Sequence, residues 1–290
     1  MKIAFISYQI QERYSAATEY DEDTALLNFL LNKGVDCKRM VWNEPDADWQ
    51  QFDMAVIKSP WDYHENFTDF NNWLNNREAE GLKLLNSYQL IRWNSDKHYL
   101  KKISDAGFKI IPSLFLEKNT RPFLVDFFGF LAAQKLIIKP CVSAGAKNTL
   151  IIDRDNLNTL QEEVYRLLQA ESYMVQPFME EVREGEWSFL FFNGKYSHSL
   201  LKVPKSGDFR VQQFFGGNIL ETEAPAEHIK AAQSYIDHFA KDTFYARVDG
   251  LIVNGELVLM ELELIEPYLY LNNHSKAMEN YYQALLQHIK

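Results

Sequence analysis

Only two cysteines, Cys37 and Cys141, occur in 290 residues, and neither sits in a metal-ligand spacing. This excludes a disulfide framework and a zinc finger, and it points to a reducing, cytoplasmic setting. Basic residues are outnumbered, 30 Lys and Arg against 40 Asp and Glu, for a net charge of −10. That balance argues against a nucleic-acid or anionic-membrane surface, while a local group of cations could still hold a small anion. Long apolar runs are missing as well. "FLVDFFGFLAA" is broken by Asp126 and is far short of the roughly 20 residues a spanning helix needs. "MKIAFISYQI" has a single lysine and no small-residue cleavage site, so it reads as a first strand rather than a signal peptide. No GxxxxGK[ST] loop is present, which excludes a Walker-type nucleotide site. No internal repeat or low-complexity tract interrupts the chain.

What is present is ordinary in bulk: 47% hydrophobic, 24% charged and 14% aromatic residues, enough for a sizeable core. Strands at 1–7, 35–42, 52–60 and 83–86 alternate with helices at 19–33 and 66–79. Such alternation predicts an α/β unit with a parallel sheet. A helix at 95–107 follows, with Ser95 as N-cap and Gly107 as its stop. Beyond it come a strand at 109–116, a helix at 121–133, strands at 135–140, 150–153 and 173–178, and a helix at 156–170. Two hairpins turn at Asn193-Gly194 and Asn254-Gly255, separated by a helix at 225–241, and a helix at 274–289 closes the chain.

The second hairpin contains "VLMELELIEP". Alternation places Glu261 and Glu263 on one face with Leu259 and Ile265, and Met260, Leu262 and Leu264 on the other. Two carboxylates there are costly to bury without positive charge. A two-residue turn would pair Asp249 with Met260, on the wrong face. A three-residue loop, Val253-Asn254-Gly255 with a G1 bulge, would pair it with Leu259, so that Asp249 lies diagonally across from Glu261. The second register is expected, since Asp249, Glu261 and Glu263 would then offer hard oxygen ligands suited to Mg²⁺. The alternative is an exposed edge where both glutamates pair with Lys or Arg.

Elsewhere Lys139 ends the buried strand "LIIKP", ahead of the small-residue loop Ser143–Thr149, where Ser143, Ala144 and Gly145 would let backbone N–H groups approach a phosphate. An ordinary turn would look the same. Lys97 lies early in a helix, and "MVQPFMEEVREGEWS" runs from an apolar strand to Glu186.

The order of these pieces resembles the ATP-grasp superfamily of carboxylate–amine ligases, most closely its glutathione-synthetase-like and ribosomal-protein glutamate-ligase-like branch, over about residues 93–270. Lys97 and Lys139 resemble that family's two nucleotide lysines, and "SAGAKNT" its phosphate-covering loop. Gln176, Phe178 and Met179 of "QPFM" resemble the adenine hinge, Glu186 the ribose ligand, and Asp249, Glu261 and Glu263 the metal ligands. Glu263 stands where the family pattern has Asn. Arg210 resembles the arginine that helps hold the transferred phosphoryl group, and Gly216-Gly217 the substrate loop behind it. "SPWDYHENFTDFNNWL", the first hairpin and "ELELIEP" are similar to the subgroup that includes the O-ureidoserine cyclo-ligase of cycloserine biosynthesis.

The resemblance implies an ATP-grasp fold with an N-terminal pre-ATP-grasp α/β domain (1–92), a small ATP-grasp subdomain (93–173) and a C-terminal subdomain with the Mg²⁺ site (174–290). It implies ATP and Mg²⁺ (or Mn²⁺) as cofactors, activation of a carboxylate as acyl-phosphate, attack by a nitrogen nucleophile, and release of ADP. Catalysis would be positioning and charge neutralisation, so the missing Ser-His-Asp or Cys-His arrangement is no obstacle. An amino-acid-like small molecule is the expected substrate, and a homodimer the expected assembly. Alternatives are a small-molecule kinase and a non-catalytic nucleotide-binding protein. Trp61 and Asp62 follow a strand at its C-terminal end, where α/β sheets place ligand crevices; equally, Trp61 could pack a helix and Asp62 cap a turn. Tyr8 and Glu12 are further cleft candidates. His198 is either a substrate contact or a structural histidine, and Lys202 and Lys205 face either cleft or solvent. Glu19, Asp21, Glu22 and Asp23 read as an acidic helix start favoured by the helix dipole, without a further role.

Overall fold

The computed structural model describes residues 1–9, 21–144, 148–205, 210–211 and 216–289. The N-terminal sheet is parallel, in the order β2-β1-β3-β4, from β1 (Lys2–Ser7), β2 (Asp36–Val41), β3 (Met54–Ser59) and β4 (Lys83–Leu85). Its central strands β1 and β3 are buried on both faces because both are covered. Ile3, Phe5, Met54 and Val56 pack with Leu26 and Leu30 of α1 (Glu22–Asn32) and with Leu190, Phe192 and Tyr245. Ala4, Ile6, Ala55 and Ile57 pack with Phe70, Trp73 and Leu74 of α2 (Phe67–Ala79).

The helix expected at 95–107 begins only at Tyr99, and a separate helix that had not been expected precedes it. Ser87 caps α3 (Tyr88–Asn94) by accepting the Leu90 N–H at 3.3 Å. Ser95 is the C-cap of this helix, and its hydroxyl turns back to donate to the Arg92 carbonyl at 2.9 Å. Asp96 then accepts the His98 N–H at 3.0 Å before α4 (Tyr99–Asp105) begins. Serine suits either end of a helix because its hydroxyl both donates and accepts.

The middle sheet is antiparallel, in the order β5-β8-β6-β7, from β5 (Leu114–Leu116), β6 (Lys135–Pro140), β7 (Leu150–Asp153) and β8 (Tyr173–Pro177). Leu136, Ile138, Ile152 and Val175 pack under α5 (Leu124–Phe130) and α6 (Leu157–Leu168). Lys139 and Gln176 therefore point to the other face of this sheet.

The C-terminal sheet has the order β11-β10-β9-β12-β13, from β9 (Glu186–Phe192), β10 (Lys195–Val203), β11 (Asn218–Leu220), β12 (Tyr245–Val253) and β13 (Glu256–Glu263). One face packs on α7 (Ala226–Phe239); α8 (Ala277–Leu286) packs against the other, beside Phe192 and Phe244. Of these elements β11, a three-residue edge strand, had no counterpart in the sequence reading.

The β12–β13 register corrects the expectation. Val253 pairs with Glu256, so the turn has two residues, Asn254 (φ 52°) and Gly255 (φ 81°), both in the left-handed region that this hairpin type needs. The bulge lies deeper in the ladder: Gly250 pairs with Leu259 and Asp249 with Glu261, leaving Met260 as the extra residue. Leu259 consequently does not share the glutamates' face. It packs with Leu257, Leu262 and Leu264 on the opposite side.

Candidate active site

Register alone assembles the site. Across the C-terminal sheet one row reads Leu200, Ser188, Asp249, Glu261 and the next reads His198, Leu190, Arg247, Glu263. Lys202 pairs with Glu186 beside them. Asp249, Glu261 and Glu263 thus share one face, and Asp249 lies directly opposite Glu261 rather than diagonal to it. Gly250 makes this possible. A Cβ there would lie 2.7 Å from the Val258 carbonyl oxygen, so the bulge accepts no side chain without moving backbone.

The free edge of β13 is held by groups from elsewhere. Asn94 donates to the Leu262 carbonyl (2.7 Å) and accepts the Leu264 N–H (2.9 Å); the Tyr99 hydroxyl accepts the Leu262 N–H (2.9 Å). Lys109 and Ile111 pair with Leu259 through backbone hydrogen bonds. Glu261 and Glu263 are therefore fixed from both sides of their strand.

Cations interleave with these acids. Lys97 reaches Glu261 Oε1 at 3.1 Å and donates to the Ser143 carbonyl at 2.8 Å, while its backbone N–H donates to the Cys141 carbonyl at 2.9 Å. The lysine thereby ties the middle sheet's loop to the carboxylate row. Arg247 forks onto Asp249 (Nη2–Oδ2 2.8 Å), onto Glu263 (2.5 Å) and onto the Tyr268 carbonyl (2.9 Å). Lys202 is buried between Glu186 and Asp249, and Ser188 donates to Asp249 at 2.5 Å.

Protonation follows from this packing. Burial opposes ionisation of Asp249, but Arg247 and Lys202 overcome it and hold the carboxyl at about 2. Burial likewise resists Glu261, and Lys97 and Lys139 pull it below the usual range. Glu263 is pushed up to about 8 by burial and by repulsion from Asp249 and Glu261, against Arg247. Glu266 rises to about 8 through burial and the nearby Glu263. Glu186 is raised by burial despite Lys202. Lys139 is lowered by burial, and Lys97 pushes the same way. These acids are crowded beyond what the chain's own cations neutralise, which suits a divalent cation on hard oxygen donors.

The other expected site residues fall as follows. Gln176 is buried and donates to the Ser113 hydroxyl at 2.9 Å. Phe178 and Met179 pack near Ile111, Val211 and Leu251. Ser143 also donates to the Pro140 carbonyl (3.1 Å), and Ala144 follows it, half-buried; Gly145 lies outside the described residues, as does Glu12. Arg210 is half-buried, Gly216 has φ 85°, and Gly217 leads into β11. Asp62 is buried and accepts the Trp42 indole N–H at 2.8 Å. Trp61 stacks on Tyr8 (5.1 Å between centroids) and donates to the Glu266 carbonyl at 3.3 Å. His198 shares the site's face but sits behind Leu190, its ring nitrogens at Leu269 O (3.0 Å) and Ser197 Oγ (2.9 Å). Lys205 is exposed. Arg247 and Ser188 had no role assigned from sequence, nor had Asn94, Tyr99 and Gly250, which hold the strand that carries the glutamates. Arg247 carried a signal, being a cation two positions from Asp249 on one strand.

Residues 106–267, more than half of the chain, match the family described as the prokaryotic glutathione synthetase ATP-grasp domain. The chain belongs to the ATP-grasp family. It is accordingly an ATP-dependent ligase that joins a carboxylate to an amine with formation of ADP, and the family uses a divalent metal. Residues 3–86 match the N-terminal domain of D-cycloserine synthetase DcsG. The cycloserine biosynthesis protein DcsG of Streptomyces lavendulae is 26% identical over 97% of this chain and 98% of that protein. In fold, the crystal structure of D-cycloserine synthetase DcsG superposes with a TM-score of 0.87 over 100% of both chains at 23% identity. The D-alanine–D-alanine ligase of Bacillus anthracis complexed with ATP superposes with 0.71 over 99% of this chain and 96% of that one, at 18% identity. Among the described residues no helix of this ATP-grasp protein is long and apolar enough to cross a membrane.

Proposed function

We propose that this ATP-grasp ligase activates the carboxylate of an amino-acid-like small molecule and closes or joins it to a nitrogen, with Asp249, Glu261 and Glu263 holding Mg²⁺. The observation that carries the reading is the placement of these three acids on one face, with Lys97 and Arg247 already paired to them. Bound Mg²⁺ supplies neutralisation of phosphate charge. Lys139 approaches the phosphates from the middle sheet and Lys97 from the turn before α4, beside the Ser143 loop. Arg247, forked between Asp249 and Glu263, meets charge developing on the transferred phosphoryl group, with Arg210 as a second cation. Gln176, Phe178 and Met179 line the adenine, and Glu186, whose Oε1 is held by Lys202, offers its other oxygen to the ribose. Gly216 and Gly217 bound the substrate side.

In the first step a substrate carboxylate oxygen attacks the γ-phosphorus and ADP leaves. In the second a nitrogen lone pair attacks the acyl carbon, inorganic phosphate departs and the nitrogen loses a proton. No covalent link to the protein is needed. The division at about 92 and 173, the cytoplasmic setting and a homodimer belong to the same reading.

Incubation with ATP, Mg²⁺ and pooled amino acids tests it. ADP and phosphate release that depends on the added amino acids, with a condensed or cyclised product, is the expected result. Release indifferent to every amino acid, or accumulation of a phosphorylated acceptor, would contradict it.

A further inference from the structure

The turn between α3 and α4 carries Asp96 and His98 on either side of Lys97. It meets the end of the middle sheet at Cys141, the buried residue after β6, whose carbonyl accepts the Lys97 N–H at 2.9 Å. A carboxylate oxygen of Asp96, a ring nitrogen of His98 and the Cys141 sulfur all lie within 4.8 Å of one another. No spacing along the chain announces this trio, because Asp96 and His98 come from one turn and Cys141 arrives from another sheet.

The His98 ring is fixed in the way a metal ligand needs. It stacks on Phe115 with 4.3 Å between centroids, and it lies between two carboxylates, Nδ1 at 2.5 Å from Asp96 Oδ1 and Nε2 at 3.2 Å from Glu117 Oε1. A neutral imidazole has one N–H and can donate to only one of them. A cation bound at Nδ1 leaves that proton for Nε2 and Glu117, the carboxylate–histidine–metal arrangement that sets ring and tautomer at metal sites. The Ser172 hydroxyl donates to Glu117 at 3.2 Å, and the Ser172 carbonyl accepts the Cys141 N–H at 2.9 Å. One residue of the outer layer thus supports both His98 and Cys141. The charged groups that act on the Cys141 thiol are Asp96, Lys97, Glu117 and Glu171, an excess of acids. The ammonium of Lys97 is engaged elsewhere, at Glu261 and the Ser143 carbonyl.

We propose that Asp96, His98 and Cys141 bind one zinc-class divalent cation, which fastens the Lys97 turn to the end of β6. Oxygen, nitrogen and sulfur donors together suit Zn²⁺ or Co²⁺, whereas Mg²⁺ takes oxygen donors. Three protein ligands leave a fourth position for water. Tetrahedral ligands around zinc stand about 3.3–3.6 Å apart, so Asp96 and Nδ1 part by about 0.8 Å to admit the ion. On binding, the thiol proton leaves to solvent and the sulfur coordinates as thiolate. The site does not depend on the ligase reading. If both hold, the ion restrains the backbone on each side of the lysine assigned to the phosphates.

Cobalt titration tests it. The protein, freed of metal with a chelator, is titrated with Co²⁺ in excess Mg²⁺ and a thiol-free reductant, without nucleotide. Wild type should develop a thiolate-to-cobalt charge-transfer band that saturates at one equivalent and is bleached by Zn²⁺. Cys141→Ser should abolish the band. Glu117→Gln should weaken Co²⁺ affinity about tenfold and His98→Ala more than about a hundredfold, with circular dichroism confirming that each variant is folded. Cys37→Ser and Asp249→Asn should keep the band, which separates this ion from the other cysteine and from the acids of the last hairpin. A folded wild type without the band, a band that survives Cys141→Ser or is lost with Asp249→Asn, or equal Co²⁺ affinity in wild type and His98→Ala would each overturn the inference. The first of these would leave His98 as a doubly protonated ring between its two carboxylates.

Discussion

In the N-terminal sheet, Lys58 is buried between Glu22 (2.8 Å) and Asp23 (3.2 Å), and Glu22 also accepts the Leu269 and Leu271 N–H groups, each at 2.9 Å. In the C-terminal sheet, Asp249, Glu261 and Glu263 interleave with Lys97, Lys202 and Arg247. Residue types are alike, but the accounting differs. Every oxygen of Glu22 has a donor, so that cluster is closed and ties α1 to the segment after β13. With Glu186 and Glu266 the row has five acids against Lys97, Lys139, Lys202 and Arg247 among the described residues, and burial, with repulsion between the acids, drives Glu263 and Glu266 up to about 8. Saturated ion pairs hold a fold together; undersaturated ones mark where a ligand completes the charge.

The sharpest break of this contrast is a pair of neutralising changes. Glu261→Gln should lower ATP turnover at least about a hundredfold, leaving the melting temperature near that of wild type, as followed by ADP release and calorimetric melting. Lys58→Met should do the converse. It strands Glu22 beside an apolar group, and a loss of about 3–5 kcal/mol in urea unfolding is expected. A Lys58→Met protein of unchanged stability would contradict the structural role given to that cluster.

His198 provides a test within the site's own sheet. Burial lowers its imidazole from 6.5 to about 4, so the folded protein keeps it neutral where the unfolded chain would protonate it. The associated stability is complete above pH 6.5 and is lost as pH falls towards about 4, roughly 3 kcal/mol in all. Denaturant titrations across that range should show the decline, and His198→Gln should flatten it. Gly250→Ala should cost about 1–3 kcal/mol, because the methyl group meets the Val258 carbonyl and the bulge must shift. Turnover should fall with it, since the same shift displaces Asp249 from Glu261.

Much of the architecture was legible in the sequence because its periodicities are clean. The alternation of strands and helices up to Leu85 and both Asn-Gly hairpins appear where the residues place them. The bulge was expected for the right purpose and at the wrong place. Leu257 and Leu259, then Leu262 and Leu264, form one apolar face with a slip of one residue at Met260, a pattern the sequence displays and strict alternation overlooks. Ser95 was misplaced because a serine hydroxyl serves both helix ends and only the Arg92 carbonyl decides between them. Glu22 read as part of an acidic helix start without a further role, yet it is buried and paired, since its partners Lys58, Leu269 and Leu271 are remote in the chain. Asp62 is likewise engaged by Trp42, a contact that no local pattern announces.

The central claim, that the three acids of the last hairpin gather a metal for a nucleotide, is tested most directly by titrating ATP into wild type and Asp249→Asn with and without Mg²⁺ by calorimetry. The account predicts saturable uptake by wild type that needs Mg²⁺ and is weakened at least about tenfold by the substitution. Uptake of equal strength in both proteins, or in wild type with Mg²⁺ withheld, would contradict it.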